Sequence, residues 1–316
     1  MLTTPVFSSS VRPIFVVGAP RSGTSITNWA LGQHPNIQPM PETSWIASLA
    51  IGAYQSYEYG SSRGRYSHLS NVGFELAPFM RRLGEAVDGI VNDCFNERCE
   101  QLYGPRRHCG RTASDGQGIG AEFQIRRNDG DPKQRWVDAT PLNSYFMWVL
   151  SAMFPSALFI HNVRPPHEVA TSLEGFDKLG LDALALELRE GLSTWASHTE
   201  HAWLGERALG KGRVFRLKFD RIASEPEALL REVCGFLGED YSPDCLRPLG
   251  ERINSSQVDS RREQNLERLR DIPEYQAAEA LYDRVLARPA AEDADPEATD
   301  LLRSKFIEYC RSHPLL

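Results

Sequence analysis

Short apolar runs alternate with amphipathic stretches along most of the chain. Apolar runs at 14–17, 157–163 and 214–219 predict buried strands. Continuous apolar residues are typical of strands that are covered on both faces. Helical spacing predicts helices at about 24–32, 83–102, 141–153, 166–176, 181–208 and 226–237. The alternation indicates a three-layer α/β fold, with a central, mainly parallel sheet flanked by helices.

The remaining segments lack a clear period. Residues 50–75 are rich in Tyr, Ser and Gly and are predicted to be irregular. Residues 104–135 are predicted to form a long loop, in which Arg106, Arg107, Arg111, Arg126 and Arg127 form either a cradle for an anionic substrate or a solvated face. We expect one domain over 1–316, with a flexible tail at 1–12 and a charged helical extension at 250–316.

Charge and composition exclude several classes of protein. The formal net charge is -7, so the chain is no general binder of polyanions such as nucleic acid, and any affinity for phosphate or sulfate must be local. The six cysteines form no CxxC pair, which favours reduced thiols over disulfides or a zinc site, and we expect no metal.

The sequence also suggests where the protein resides. The first 13 residues, MLTTPVFSSSVRP, lack a basic stretch followed by an apolar core, so we expect no signal peptide and a cytoplasmic location. The most apolar region, 145–163, is interrupted by Pro155 and predicts a helix and a strand rather than a membrane span. The sequence does not decide between a monomer and a homodimer.

An anion-binding loop follows the first predicted strand. The segment FVVGAPRSGTSITNWAL joins a strand to a helix through a tight Gly/Pro turn, and the free N–H groups of a helix start attract anions. Gly23 allows close approach to the backbone, Arg21 adds a charged fork, and Thr24 and Ser25 add hydroxyls. The loop lacks the Gly-Lys-[Ser/Thr] of a Walker A motif.

A second anion site is predicted at the end of the strand near 157–163. Arg164 follows that strand, and Ser172 lies two turns into the helix that begins at Pro165-Pro166. Ligands of open α/β sheets bind at the carboxyl ends of the strands, so both side chains can reach one phosphate there.

Together these segments resemble the superfamily of sulfotransferases that use 3′-phosphoadenosine 5′-phosphosulfate (PAPS). The resemblance includes Pro20–Ser25, Phe159–Ser172, and the pieces RWVDATP, FPSALFI and VFRLKFDRIASEPEALLREVCGFLG, in order over about 13–240. It is nearest to tyrosylprotein, carbohydrate and bacterial sulfotransferases. It implies a P-loop-like fold, PAPS as sulfuryl donor, adenosine 3′,5′-bisphosphate (PAP) as product, and a hydroxylated small molecule or glycan as acceptor.

The resemblance also implies the site residues. For the 5′-phosphosulfate they are Arg21, Ser22, Gly23, Thr24 and Ser25, and for the 3′-phosphate Arg164 and Ser172, with a further match at Ser255 and Ser256. The segment RSGTSITNWALGQHPNIQPMPET puts Glu42 at the position of the catalytic base, and Arg21 also acts in catalysis.

Two positions depart from the pattern. Ala139 stands where many relatives carry a lysine, so Lys133, Arg135, another residue or Arg21 alone would have to steady the bridging oxygen. Phe219-Asp220 replaces the usual Tyr-Glu pair, which removes a hydroxyl contact.

Four polar residues have structural as well as functional interpretations. We expect His34 to organise its loop, and His161 to be a satisfied core histidine. Asp138 either orients the active-site loop or caps the helix near Pro141. Glu42, the proposed base, is alternatively a surface or capping acid.

The function predicted from the sequence is sulfuryl transfer from PAPS to the hydroxyl of a saccharide, lipid or natural product. Two alternatives stay open: a kinase-like P-loop enzyme, which would need magnesium, and a nucleotide-binding module without activity.

Overall fold

A computed structural model describes residues 11–103, 112–113, 125–126, 133–175, 186–250, 262–289 and 292–315. Seven strands lie in these ranges: β1 Ile14–Val17, β2 Ile37–Met40, β3 Thr112–Ala113, β4 Ile125–Arg126, β5 Arg135–Asp138, β6 Leu158–Val163 and β7 Val214–Lys218. Five of them form a parallel sheet in the order β2-β5-β1-β6-β7, and β3 and β4 form a short antiparallel pair. The α/β class and the parallel sheet predicted from the sequence are confirmed.

Helices connect the strands of the sheet. They are α1 Thr24–Gly32, α2 Trp45–Ser61, α3 His68–Asn71, α4 Leu76–Tyr103, α5 Met147–Met153, α6 Pro166–Glu174, α7 Leu188–Leu209, α8 Arg221–Ser224, α9 Pro226–Leu237, α10 Arg262–Leu269, α11 Pro273–Ala287 and α12 Pro296–Ser312. Short 3₁₀ helices add Gly64–Tyr66, Pro141–Tyr145 and Pro243–Gly250. In the described part of the chain, no helix is both long enough and apolar enough to cross a membrane.

The central strand shows why the fold has three layers. Alternate residues of β1 point to opposite faces of the sheet, and all four are fully buried. Phe15 and Val17 face the cluster formed by α2, α4, α5, α7 and α12, whereas Ile14 and Val16 face α1 and α9. Phe15 also makes an edge-on contact with Trp136, with ring centroids 5.6 Å apart.

The structure corrects two of the sequence predictions. Residues 50–75 are mostly helical rather than irregular, because α2 buries Ile46, Ala50 and Tyr54 along one face. The strands β2 and β5 were not predicted, and part of β5 lies at the end of the segment expected to be a loop.

The side chains of Cys94, Cys234, Cys245 and Cys310 are described, and all four are free thiols.

A charged network is buried between the sheet and α7. The Nδ1 of His161 donates to the Glu206 carboxylate at 2.5 Å, and Arg216 donates to both carboxylate oxygens. Burial disfavours the charge of Glu206, but His161 and then Arg216 outweigh it and hold its pKa below the usual value. His161 is therefore a core residue, as expected from the sequence, but it is not fully satisfied, because its buried Nε2 has no hydrogen-bond partner within the described residues.

Substitution of Glu206 should destabilise the fold strongly. Glu206→Leu leaves the Arg216 charge buried without its partner, and we expect it to lower the free energy of unfolding by about 3–5 kcal/mol. Glu200→Leu, an exposed change on the same helix, should stay within about 0.5 kcal/mol of the wild type. Urea unfolding measures both, and similar values for the two variants would contradict the role given to the network.

The same network makes stability depend on pH. Because the pKa of Glu206 is lower in the folded state, its contribution is present above its unfolded pKa of about 4.3. The contribution is lost as the pH falls through the folded value. The difference in stability between wild type and Glu206→Leu should therefore shrink toward acidic pH.

Candidate active site

The loop after β1 turns sharply against β6. Gly18 has φ 140°, and a Cβ at this position would lie 2.5 Å from the carbonyl oxygen of Asn162. The Gly18 amide donates to Ser144 Oγ at 2.9 Å, which fixes the turn to the 3₁₀ helix that follows β5. Only glycine fits this close crossing without strain.

The amino end of α1 forms the far side of the loop. Gly23 is its N-cap, with φ 89° and no side-chain cap, and a Cβ there would lie 2.5 Å from the ring of Phe219. Ser22 and Thr24 are buried and Ser25 is half-buried. No side chain of the described part of the chain therefore caps the first amides of α1, and anion binding at these amides stays a prediction.

Arg21 links the two predicted anion sites. Its backbone has φ 67°, an unfavourable conformation for a residue with a side chain. Its Nε donates to Ser172 Oγ at 2.9 Å, and its carbonyl accepts from Arg164 at 2.8 Å. Burial, and then the charge of Arg164, lower the pKa of Arg21, which is the expected result when two cations are gathered in one place.

Arg164 is held in position on several sides. Its guanidinium lies 4.1 Å from the centre of the Phe219 ring and donates to Glu168 at 2.9 Å. Its carbonyl accepts from the indole of Trp195. Phe219, which replaces the tyrosine of the family pattern, therefore supplies a platform for Arg164 and a wall for Gly23.

Asn162 belongs to the site but was not identified from the sequence. Its Nδ2 donates to Thr27 Oγ1 at 2.8 Å, whereas its Oδ1 is buried and has no partner within the described residues. A buried polar atom of this kind requires a donor from a ligand or water. An asparagine within the apolar run at 157–163 was the available signal.

Glu42 lies on a loop that is tied down from β5. The Asp138 carboxylate is fully buried and accepts hydrogen bonds from the Thr43 hydroxyl, the Thr140 amide and hydroxyl, and the Asn143 amide group. Thr140 Oγ1 also accepts from the Thr43 amide at 2.8 Å. Asp138 therefore orients the loop next to Glu42 and also holds the start of the 3₁₀ helix.

The Glu42 carboxyl is exposed at the surface of this loop. The surrounding protein reduces its hydration, and this desolvation, followed by the charge of Asp138, raises its pKa above the usual value. A raised pKa makes the carboxylate a better proton acceptor.

Two cations expected to compensate for Ala139 lie elsewhere. Lys133 is buried and donates to the carbonyls of Gly32, His34 and Ile37. Arg135 donates to the carbonyl of Leu237 and to Glu239. Lys133 precedes β5 and Arg135 begins it, so both lie at the amino ends of the strands, whereas the loop after β1 lies at the carboxyl ends. Neither residue therefore replaces the lysine that is missing at Ala139.

His34 has the structural role expected of it. Its Nδ1 accepts from the Asn36 amide, and its Nε2 donates to the Asp240 carbonyl at 2.8 Å. Several sequence predictions lie outside the described residues, namely those for Ser255, Ser256, Arg106, Arg107, Arg111 and Arg127, and for the side chain of Arg126.

Comparisons with known proteins give a related sequence and several similar solved structures. It is 26% identical over 234 residues to an uncharacterized protein of Aquifex aeolicus (strain VF5); the match covers 72% of this chain but only 25% of that protein. The chain thus spans about a quarter of that relative's length. Similar solved structures are the sulfotransferase domain of the Synechococcus PCC 7002 olefin synthase (TM-score 0.44, 18% identity, 93% and 94% of the two chains) and a sulfotransferase from Alicyclobacillus acidocaldarius (0.43, 17%, 88% and 97%).

The family assignment comes from the sequence itself. The model of the sulfotransferase family matches residues 13–243, a range that contains the loop after β1, Glu42, Arg164 and Ser172. The chain therefore belongs to the sulfotransferase family.

Proposed function

We propose that the protein transfers the sulfuryl group of PAPS to the hydroxyl of a saccharide, lipid or natural-product acceptor. One observation carries the proposal: two anion-binding segments that are far apart in sequence meet in one site. Arg21 of the first segment contacts Ser172 of the second at 2.9 Å, and Arg164 contacts the backbone of Arg21 at 2.8 Å.

This arrangement suits a ligand with phosphates at both ends. The amino end of α1 would hold the 5′-phosphosulfate through its free amides and the hydroxyls of Thr24 and Ser25. Arg164 and Ser172 would hold a 3′-phosphate. A nucleotide with only a 5′-phosphate would make no contact with Arg164 and Ser172.

The residues present fit such a donor. The chain crosses closely at Gly18 and Gly23, where a Cβ would collide with Asn162 or Phe219, so the shape of the loop requires both glycines. Arg164 is already oriented on Phe219, so little ordering is required when the ligand binds.

The chain's own residues would then perform the chemistry. PAPS supplies the sulfuryl group and its phosphate leaving group, and the transfer is in-line by analogy with phosphoryl transfer. Glu42 accepts the proton of the acceptor hydroxyl. Arg21 and the amides of α1 stabilise the charge that develops on the leaving oxygen, in place of the lysine missing at Ala139.

Binding of PAP tests the donor class and the role of Arg164 together. In calorimetric titrations with EDTA present, the wild type should bind PAP much more tightly than AMP, which lacks the 3′-phosphate. Arg164→Ala should weaken PAP binding by about 10- to 100-fold, because a charge-assisted contact is lost, and should change AMP binding little. Arg189→Ala, at an exposed position on α7, serves as the matched control.

Two results would count against this part of the proposal. Equal affinities of the wild type for PAP and AMP would remove the 3′-phosphate site. Equal losses of both ligands in Arg164→Ala would mean that Arg164 maintains the loop rather than binding the phosphate. Binding that requires magnesium would instead favour a kinase-like enzyme.

Glu42→Gln should separate binding from turnover. The amide keeps the shape but cannot accept the proton, so we expect turnover to fall by about 10²- to 10⁴-fold while PAP affinity stays unchanged. The measurement is transfer of ³⁵S-labelled sulfate from PAPS to an acceptor found by screening, and the exposed Glu75→Gln is the control.

The pH profile adds a second readout for Glu42. The base works when it is deprotonated, so the wild-type rate should fall as the pH drops through the raised pKa of Glu42. Glu42→Gln should lose this acidic limb. A variant with wild-type speed and an unchanged profile would exclude Glu42 as the base.

A further inference from the structure

A cavity of about 400 Å³ opens beside the Glu42 loop. Its walls come from the start of α2, the 3₁₀ helix 141–145, α7 and α12. Most of the lining is apolar or aromatic, including Ile51, Leu142, Tyr145, Phe146, Phe306 and Tyr309. A cavity of this size and composition is typical of a small-molecule site.

Hydrogen bonds connect the cavity to the proposed catalytic base. Ser44 lines the cavity and stands two residues after Glu42, and the Thr43 amide between them bonds to Thr140 at 2.8 Å. Leu142, which also lines the cavity, stands two residues after Thr140. The Asp138 network therefore ties the segment that carries Glu42 to the part of the cavity wall that contains Ser44 and Leu142.

The cavity contains one cation from α12. Lys305 lines it, and in the described part of the chain this ammonium forms no salt bridge. The second basic side chain in the lining is His201, whose Nδ1 donates to the Ser197 carbonyl at 2.8 Å. Burial, and then the charge of Lys305, lower the pKa of His201, so at neutral pH Lys305 supplies the positive charge.

The aromatic wall is fixed by packing. Tyr145 lies between His198 and His201, with ring centroids 4.5 and 4.6 Å away, and its hydroxyl bonds to Ser197. Phe146 makes an edge-on contact with Tyr309 at 5.0 Å. The rings are thus preorganised to accept a flat or extended apolar group.

We propose that this cavity binds the acceptor, and that the acceptor is an amphipathic alcohol with an apolar body and an anionic group recognised by Lys305. The body packs against the aromatic wall, the anion pairs with Lys305, and the hydroxyl faces Glu42. Lys305, Phe306 and Tyr309 lie beyond residues 13–243, so this specificity belongs to a part of the chain outside the family match. The inference rests on the proposed function.

Two matched pairs of probes test the acceptor class. Fluorescence titration compares 6-hydroxy-2-naphthoate with neutral 2-naphthol, and calorimetry compares 10-hydroxydecanoate with 1,10-decanediol, each with and without PAP. In at least one pair, the wild type should bind the carboxylate about fivefold more tightly than its neutral partner, the size expected of one partly exposed ion pair.

Variants of α12 assign the preference to one side chain. Lys305→Met should abolish the preference for the carboxylate, Lys305→Arg should retain it, and Arg311→Met, an exposed charge removal on the same helix, should leave it unchanged. Neutral probes should bind all four proteins alike. The melting temperature of each variant confirms that it is folded.

The outcomes separate this inference from the proposed function. If no carboxylate is preferred by the wild type, or if the preference persists in Lys305→Met, the acceptor class proposed here is wrong. A protein that binds PAP but none of the four probes overturns this inference and leaves the donor assignment standing. A protein that binds the carboxylates through Lys305 but does not bind PAP supports the cavity and refutes the proposed donor.

Discussion

The position of β1 between β5 and β6 is the constraint on which the rest of the site depends. The pairing is parallel on both sides, with Phe15 opposite Asp138 and Val17 opposite His161. Parallel pairing brings the carboxyl ends of these strands to one edge of the sheet. The loop after β1, the Asp138 network and the Asn162–Arg164 segment therefore emerge side by side, and Phe219 joins them after β7.

Asp138 converts this common edge into a fixed geometry. Taking a carboxylate out of water is costly, but four donors from Thr43, Thr140 and Asn143 offset the loss of hydration. The same bonds hold the exposed Glu42 loop against the 3₁₀ helix, whose Ser144 in turn bonds to Gly18. Glu42, the proposed base, is thus tied to the loop after β1 through a chain of hydrogen bonds.

The sequence predicted the elements whose signals are local. β1 and α1 agree with the prediction because an apolar run ends at a glycine turn, and a helix pattern then follows at once. The strand β2 has the sequence IQPM, which carries a proline and a glutamine, and it exists because of its pairing with β5. That pairing is non-local, so no pattern within four residues could reveal it.

The side chains of the site were likewise predictable only where the signal is local in the sequence. The charges of Lys133 and Arg135 were visible in the sequence, but the edge of the sheet at which they lie depends on β5, which was not predicted. Contact between Arg21 and Ser172 spans 151 residues and follows from the resemblance to sulfotransferases rather than from spacing. The helix α2 could have been predicted from the apolar stripe that includes Ile46, Ala50 and Tyr54, but Gly, Ser and Tyr weaken its helical propensity.

The proposed donor site and the cavity differ in how freely their amino-acid sequences can change. The residues proposed to bind the donor lie within the range that the family model matches, and they depend on crossings at Gly18 and Gly23 that tolerate no side chain. The wall of the cavity formed by α12 lies beyond that range and packs on α5, α7 and Phe146. Changes in the exposed Lys305 can therefore alter the cavity without disturbing the loop. Changes in 141–146 would affect both, because this segment borders the cavity and also holds Gly18 and the Glu42 loop.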